Sequence, residues 1–171
     1  KSEKSVGIDL GIKDLVITSD GKKSDNLKLI KKYEDKLARE QRKLAHKQKG
    51  SKNREKQRIK VAKIHEKIAN ARNDYLHKIS RKLINENQVI VSEDLSVSNM
   101  VKNHNLAKAI SDCGWGELTR QLQYKAEWYG RTYIKIGRFV PSSQVCHVCG
   151  YQNKETKNLK VRNWTCPQCG A

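Results

Sequence analysis

The sequence predicts a mixed α/β domain, one sheet with helices packed on it, that carries a long basic helical hairpin and ends in a small cysteine module. Three observations predict it. Short apolar runs of strand character are interleaved with segments of helical periodicity, an order that builds a sheet layered with helices. One of the helical segments is dominated by Lys and Arg. Four of the five cysteines fall in two Cys-x-x-Cys pairs close to Ala171. A chain of 171 residues suffices for one domain with a core and a small appendage.

Lys4–Ser19 reads as two strands, with Val6, Ile8 and Leu10 alternating in the first, Leu15, Val16 and Ile17 enriching the second, and Gly11–Asp14 as the turn. Asp20-Gly21 signals a further turn before a polar stretch to Asn26. From Leu27 the apolar residues Ile30, Tyr33, Leu37 and Leu44 recur at helical spacing, until Gly50-Ser51 breaks the pattern. A second, longer helix carries Val61, Ile64, Ile68, Ala71 and Tyr75, then Leu76, Ile79 and Leu83. Each stripe is narrow, so the two helices are expected to pair antiparallel as an arm over about 27–86. Val89-Ile90-Val91 suits a buried strand that runs directly into Glu93-Asp94. Leu118, Leu122, Ala126 and Tyr129 predict a helix over Glu117–Tyr129 closed by Gly130, and Thr132–Ile136 predicts one more β-branched strand. Pro141 opens the cysteine region, which gives expected domains at 1–140 and 141–171.

Composition narrows the function classes. Hydrophobic residues make up 36% and charged residues 32%, with a formal net charge of +18. The imbalance is local: 22 Lys or Arg against 7 Asp or Glu between Lys22 and Lys82 account for +15 of it. Such a surface attracts polyanions, because neutralising phosphates releases condensed counterions, and nucleic acid is the expected partner ahead of an anionic membrane. Arg42, Lys47, Lys49, Arg54, Arg58 and Lys63 line the outer faces of the expected arm and are the candidate nucleic-acid contacts. The alternative for the same residues is a solvated coiled coil. No apolar run nears the ~20 residues of a membrane span, and no charged-apolar-small leader stands at the start, so a soluble, unsecreted protein in a reducing compartment is expected. The chain begins at Lys1 and stops at Ala171 directly after a cysteine knuckle, and it reads as a piece of something longer.

Cys146-His147-Val148-Cys149-Gly150 and Cys166-Pro167-Gln168-Cys169-Gly170 are two such knuckles. A Cys-x-x-Cys loop lets two sulfurs face one ion, and two loops complete a tetrahedral shell, so Cys146, Cys149, Cys166 and Cys169 are expected to hold one structural Zn2+ with no position left for catalysis. A redox dithiol would be a single pair at a helix start. His147 lies inside its knuckle and is expected outside the ligand set. Trp164 either stacks on a base or packs on the module. Cys113 stands apart and reads as a small buried hydrophobe.

Asp9 interrupts an apolar strand and Glu93 ends another, where a charged side chain needs a reason. If the strands are neighbours, both carboxylates can face one side and hold divalent metal for phosphodiester hydrolysis; hydrogen bonding to strand-end amides is the other reading. Asp14 and Asp94 lie close by in sequence and compete for the same assignment.

Several motifs coincide. Val6-Gly7-Ile8-Asp9-Leu10-Gly11 with its following strand resembles the opening hairpin of the ribonuclease-H-like superfold, and Val89-Ile90-Val91-Ser92-Glu93-Asp94-Leu95, with Met100 beyond, resembles the fourth strand of RuvC-type nucleases. Phe139-Val140-Pro141-Ser142-Ser143-Gln144 running into a four-cysteine ribbon, the Lys-rich arm and Gly114-Trp115-Gly116-Glu117-Leu118 extend the likeness over nearly the whole chain. Together they resemble the OrfB/TnpB-type proteins of bacterial insertion sequences, relatives of the type V CRISPR effectors. The resemblance implies an RNA-guided DNA endonuclease in the bacterial cytoplasm, associated with the nucleoid when on DNA. Its partners would be guide RNA and target DNA, and its RuvC domain would cut with Mg2+ held in part by Asp9 and Glu93. It further implies a third acid on a helix beyond Ala171 and a lobe ahead of Lys1, with the ribbon as an insertion before that helix. A shortened, catalytically inactive, guide-directed nucleic-acid binder is the alternative. Gly7-Ile8-Asp9-Leu10-Gly11 also occurs in actin-like ATP-binding hairpins, but Ile12-Lys13-Asp14 follows here in place of small or hydroxyl residues, and neither arm nor ribbon belongs there.

Overall fold

The computed structural model describes residues 4–137, 144–158, 161 and 163–171. The chain divides into two compact units, Lys1–Ile136 and Gly137–Ala171. The expected boundary at 140–141 and the motif from Phe139 to Ser143 lie outside the described residues.

In the first unit, β1 (Ser5–Asp9) and β2 (Asp14–Thr18) form the expected antiparallel hairpin, with Asp9 opposite Ile17. Gly11 is needed in their connection, because a Cβ there would lie 2.7 Å from the Asp14 carbonyl oxygen. β3 (Lys23–Asp25) adds antiparallel to β2. Its Lys-Ser-Asp sequence has no strand pattern, so backbone pairing alone makes it a strand. Two helices follow, α1 (Leu29–Ala45) and the 35-residue α2 (Lys52–Glu86), and then β4 (Val89–Glu93). Two short helices absent from the sequence expectation, α3 (Val97–Met100) and α4 (Ala107–Cys113), precede α5 (Trp115–Trp128) and β5 (Thr132–Ile136).

The five strands lie in the order β3-β2-β1-β4-β5, with β1, β4 and β5 mutually parallel. The parallel strands step one way across the sheet, and right-handed crossovers then place α2 and α5 on the same face. The main core agrees. It joins Val6, Ile8, Leu15, Val16 and Ile90 of the sheet to Leu76, Leu83 and Ile84 of α2, Ile110 and Cys113 of α4, and Trp115, Leu118 and Leu122 of α5. This is the mixed α/β sheet with a helical insertion that the sequence predicts.

α2 serves two packing units. Its second half belongs to the main core, while Ile64 and Ile68 of its first half form a separate cluster with Leu29, flanked by Ile30, Tyr33 and Leu37 of α1. Gln57 Nε2 donates to the Glu40 carbonyl (3.1 Å) and to its carboxylate (2.7 Å), tying the pair side by side in antiparallel register. The part of the helical pair outside the main core is therefore α1 with the first half of α2. Among the described residues no helix is long and apolar enough to cross a membrane.

Candidate metal centres

The two carboxylates singled out in the sequence are each the last residue of a parallel strand. β1 and β4 pair with Val6 opposite Ile90 and Ile8 opposite Ser92. The pairing ends there, and Asp9 and Glu93 are the next and last residues of the two neighbouring strands. Strand alternation decides the face. Val6, Ile8, Ile90 and Ser92 are buried toward the helices, so Asp9 and Glu93 point to the other side, and both are exposed.

Neighbouring contacts hold this corner. The Ser92 hydroxyl and the Tyr133 phenol are 2.7 Å apart, and burial raises the Tyr133 pKa above its usual range. Asp94 N donates to the Ile136 carbonyl at 3.0 Å, which fixes the chain just beyond Glu93. Asp14 opens β2 and Asp94 lies past the end of β4, so neither occupies the paired strand-end position. The carboxyl ends of parallel strands in open α/β sheets are where ligands bind.

In the second unit the two knuckles have the same backbone pattern. Cys146 N donates to the Tyr151 carbonyl (2.8 Å) and Gly150 N to the Cys146 carbonyl (2.9 Å). Cys166 N donates to Ala171 and Gly170 N to Cys166, both at 2.8 Å. Gly150 and Gly170 take φ values of 77° and 73°, the left-handed turn that closes each knuckle at little steric cost to glycine. All four sulfurs lie within 4.8 Å of one another. The pairs Cys146–Cys169 and Cys149–Cys166 are separated by 3.6 and 3.5 Å. A tetrahedron with metal–sulfur bonds of about 2.3 Å has edges of about 3.8 Å, so the sulfur cage has the size such an ion needs.

The electrostatics of the cage point the same way. Backbone N–H groups of Cys149 and Val148 pull the Cys146 thiol down to about 6, so one thiolate is readily formed. Cys169 is pushed up to about 12: the Ala171 amide favours its thiolate, but burial and the three neighbouring sulfurs outweigh that. Four thiolates cannot gather here without a cation. Among the described residues this is the one group of three or more His, Cys, Asp or Glu side chains close enough to share a metal ion. His147 is exposed and Trp164 half-buried.

The six arm residues named from sequence are dispersed. The Arg54 guanidinium donates to the Leu44 and Lys47 carbonyls (2.7 and 3.1 Å), closing the end of α1, where a cation is favoured. Arg58 forms an ion pair with Glu55 at 2.6 Å. Arg42 and Lys49 are exposed, Lys47 is half-buried, and Lys63 faces the groove between α1 and α2. Cys113 is buried in the main core, and burial raises its thiol to about 11.

Residues 1–104 match the OrfB_IS605 family, described as "Probable transposase". The chain belongs to that family. Residues 115–171 of this OrfB_IS605 member also match the "Cas12f1-like, TNB domain". It is 48% identical over 98% of its length to a protein of Streptomyces pristinaespiralis named "Putative RNA-guided DNA endonuclease", of which it covers 41%. It is 37% identical over 91% of its length to "Putative RNA-guided DNA endonuclease InsQ" of Escherichia coli K12, covering 42% of that protein. The OrfB_IS605 chain thus spans about two fifths of the length of these curated relatives.

Two solved structures share its fold. A chain of the Cas12f1-sgRNA-target DNA complex superposes with a TM-score of 0.57 at 15% identity, over 97% of this chain and 45% of that one. A chain of a CRISPR-Cas12f ternary complex gives 0.60 at 16% identity, over all of this chain and 37% of that one.

Proposed function

We propose that this chain is the nuclease portion of a transposon-associated, RNA-guided DNA endonuclease, with Asp9 and Glu93 as metal-holding catalytic carboxylates. The observation that carries the reading is the β1–β4 register, which puts the two side chains at adjacent strand ends on one exposed face. The names of the relatives support the activity, and the solved complexes with sgRNA and target DNA support guide RNA and target DNA as partners. Because the chain spans about two fifths of those relatives, cleavage and guide binding belong to the full-length protein.

Asp9 and Glu93 would hold Mg2+, with two ions in the full-length protein. Bound there, the ions supply Lewis-acid stabilisation of the phosphoryl oxygens and an activated water for phosphodiester hydrolysis. The protein's own part is positional. Strand pairing fixes both carboxylates before substrate arrives, and their exposure leaves the site open to a nucleic-acid backbone. The four cysteines would hold Zn2+ as a closed structural site, fitting the cage dimensions above. The basic arm residues would add contacts to phosphates, which position the nucleic acid and carry no sequence information.

The test is cleavage of a matched target by the full-length protein with its guide and Mg2+. The parent cuts, and Asp9→Ala and Glu93→Ala do not, while thermal melting shows that both variants remain folded. Undiminished cutting by Asp9→Ala overturns the assignment.

A further inference from the structure

α1 and α2 present matching rows of side chains to a groove between them. Tyr33, Lys36, Glu40 and Lys43 follow at three- and four-residue steps on α1, and Lys60, Lys63 and Lys67 do so on α2 with Ile64 beside them. Each set therefore lies on one helix face. The groove measures about 430 Å³ and gathers five lysines around a single carboxylate.

That carboxylate is already engaged. Glu40 accepts from Lys43 at 2.8 Å and from Gln57 at 2.7 Å, and these bonds pull its pKa down to about 2. Lys67 stands over the Tyr33 ring at 5.7 Å. Among the described residues Lys36, Lys60 and Lys63 make no ion pair, whereas other basic residues of these helices do, as in Arg58–Glu55 and Lys78–Asp74. Like charges at such steps weaken a helix, so the row opposes folding of the arm and calls for an external anion.

We infer that this groove binds the phosphodiester backbone of a single nucleic-acid strand. The inference rests on the proposed nuclease reading and extends it, since of the six arm residues named from sequence only Lys63 lines the groove. Charge complementarity selects a polyanion. Packed helices with axes about 8–10 Å apart leave a cleft wide enough for one backbone and too narrow for a double helix. Lysines on both walls follow successive phosphates, and Tyr33 and Ile64 form the floor.

The experiment uses the full-length, zinc-loaded protein and labelled oligouridylate, oligodeoxythymidylate and duplex DNA, with binding measured by fluorescence anisotropy across a salt series. A K36Q/K60Q/K63Q/K67Q variant is compared with a K52Q/K56Q/K102Q/K154Q control of equal charge change. For single strands, the slope of log affinity against log salt becomes shallower by about 3 in the groove variant, at roughly 0.7 per phosphate contact, and keeps the parent value in the control. Whichever oligomer shows the change, RNA or DNA, identifies the strand. An unchanged slope with both single strands, an equal change in the control or a change confined to duplex DNA each overturns the inference. Asp9→Ala, which abolishes cutting if the nuclease reading is right, keeps the parent slope, so the two claims fail separately.

Discussion

Lys125 is 7% exposed, on the core face of α5. Its ammonium donates to the Ser80 hydroxyl (2.7 Å) and the His77 carbonyl (3.2 Å), and Ser80 also meets the Gln121 amide oxygen at 2.9 Å. Burial, with Arg81 adding to it, lowers the Lys125 pKa below its usual 10.5. Between that lowered value and the unfolded one the unfolded chain holds more protons, so stability rises with pH across this alkaline window. Replacing a buried charge by an apolar side chain of similar length is neutral or stabilising. Lys125→Met is therefore expected to match or exceed parent stability at pH 7 by up to about 1 kcal/mol in urea unfolding, and to lose the alkaline rise. A loss of more than about 1 kcal/mol would show that the ammonium's hydrogen bonds outweigh its burial. None of this network is legible in sequence, where Lys125 looks like a surface residue between Leu122 and Tyr129. Asp9 and Glu93 stand out in the sequence because a carboxylate inside or ending an apolar strand calls for a reason, and the metal-holding role given to them is the proposal made above.

The elements differ in how much of themselves the sequence declares. β1, β2, β4, α5 and β5 each carry their own periodicity, and each forms within two residues of the expected bounds. β3 and α4 do not, since a polar triplet and a seven-residue helix depend on the elements beside them. The long α2 was legible as a helix but not as one shared between two packing units, because its apolar stripe looks the same in both halves. Beside the apolar cluster and the Gln57–Glu40 bonds, Asp112 of α4 adds a polar link between α1 and α2. One carboxylate oxygen accepts from Arg72 of α2 at 3.1 Å, the other from the Ile30 backbone N–H in the first turn of α1 at 3.0 Å. Asp112 is 8% exposed, so removing its charge strands a partly buried guanidinium and an N-terminal amide. Asp112→Asn is expected to cost about 2–3 kcal/mol in urea unfolding and to speed amide exchange through the start of α1. A change under about 0.5 kcal/mol would mean that the arm is held by its other contacts alone.

For the whole molecule, cysteine spacing pointed to the second unit better than any periodicity did, since its described residues include little beyond an isolated bridge, Val145 with Gln152, and a short 3-10 turn, Lys154–Lys157. With the proposed Zn2+ bound, a unit with so little regular structure would take much of its folding free energy from the metal. Chelation is expected to collapse amide protection from about Cys146 onward while leaving β1–β5 and α5 protected, as hydrogen exchange read by mass spectrometry will show. Loss of protection throughout would mean that the two units do not fold separately. Adjacency of β1 and β4 is a topological fact that the sequence pattern does not supply. It follows from long-range strand pairing across the α1–α2 insertion, and the proposed catalytic site depends on it. The most direct test is a Mn2+ titration of the zinc-loaded, 15N-labelled chain. Paramagnetic broadening is predicted at the backbone amides around both Asp9 and Glu93, and Asp9→Asn is predicted to remove it from both strand ends. Broadening at one end only, or broadening around Glu93 that survives Asp9→Asn, would contradict a shared site.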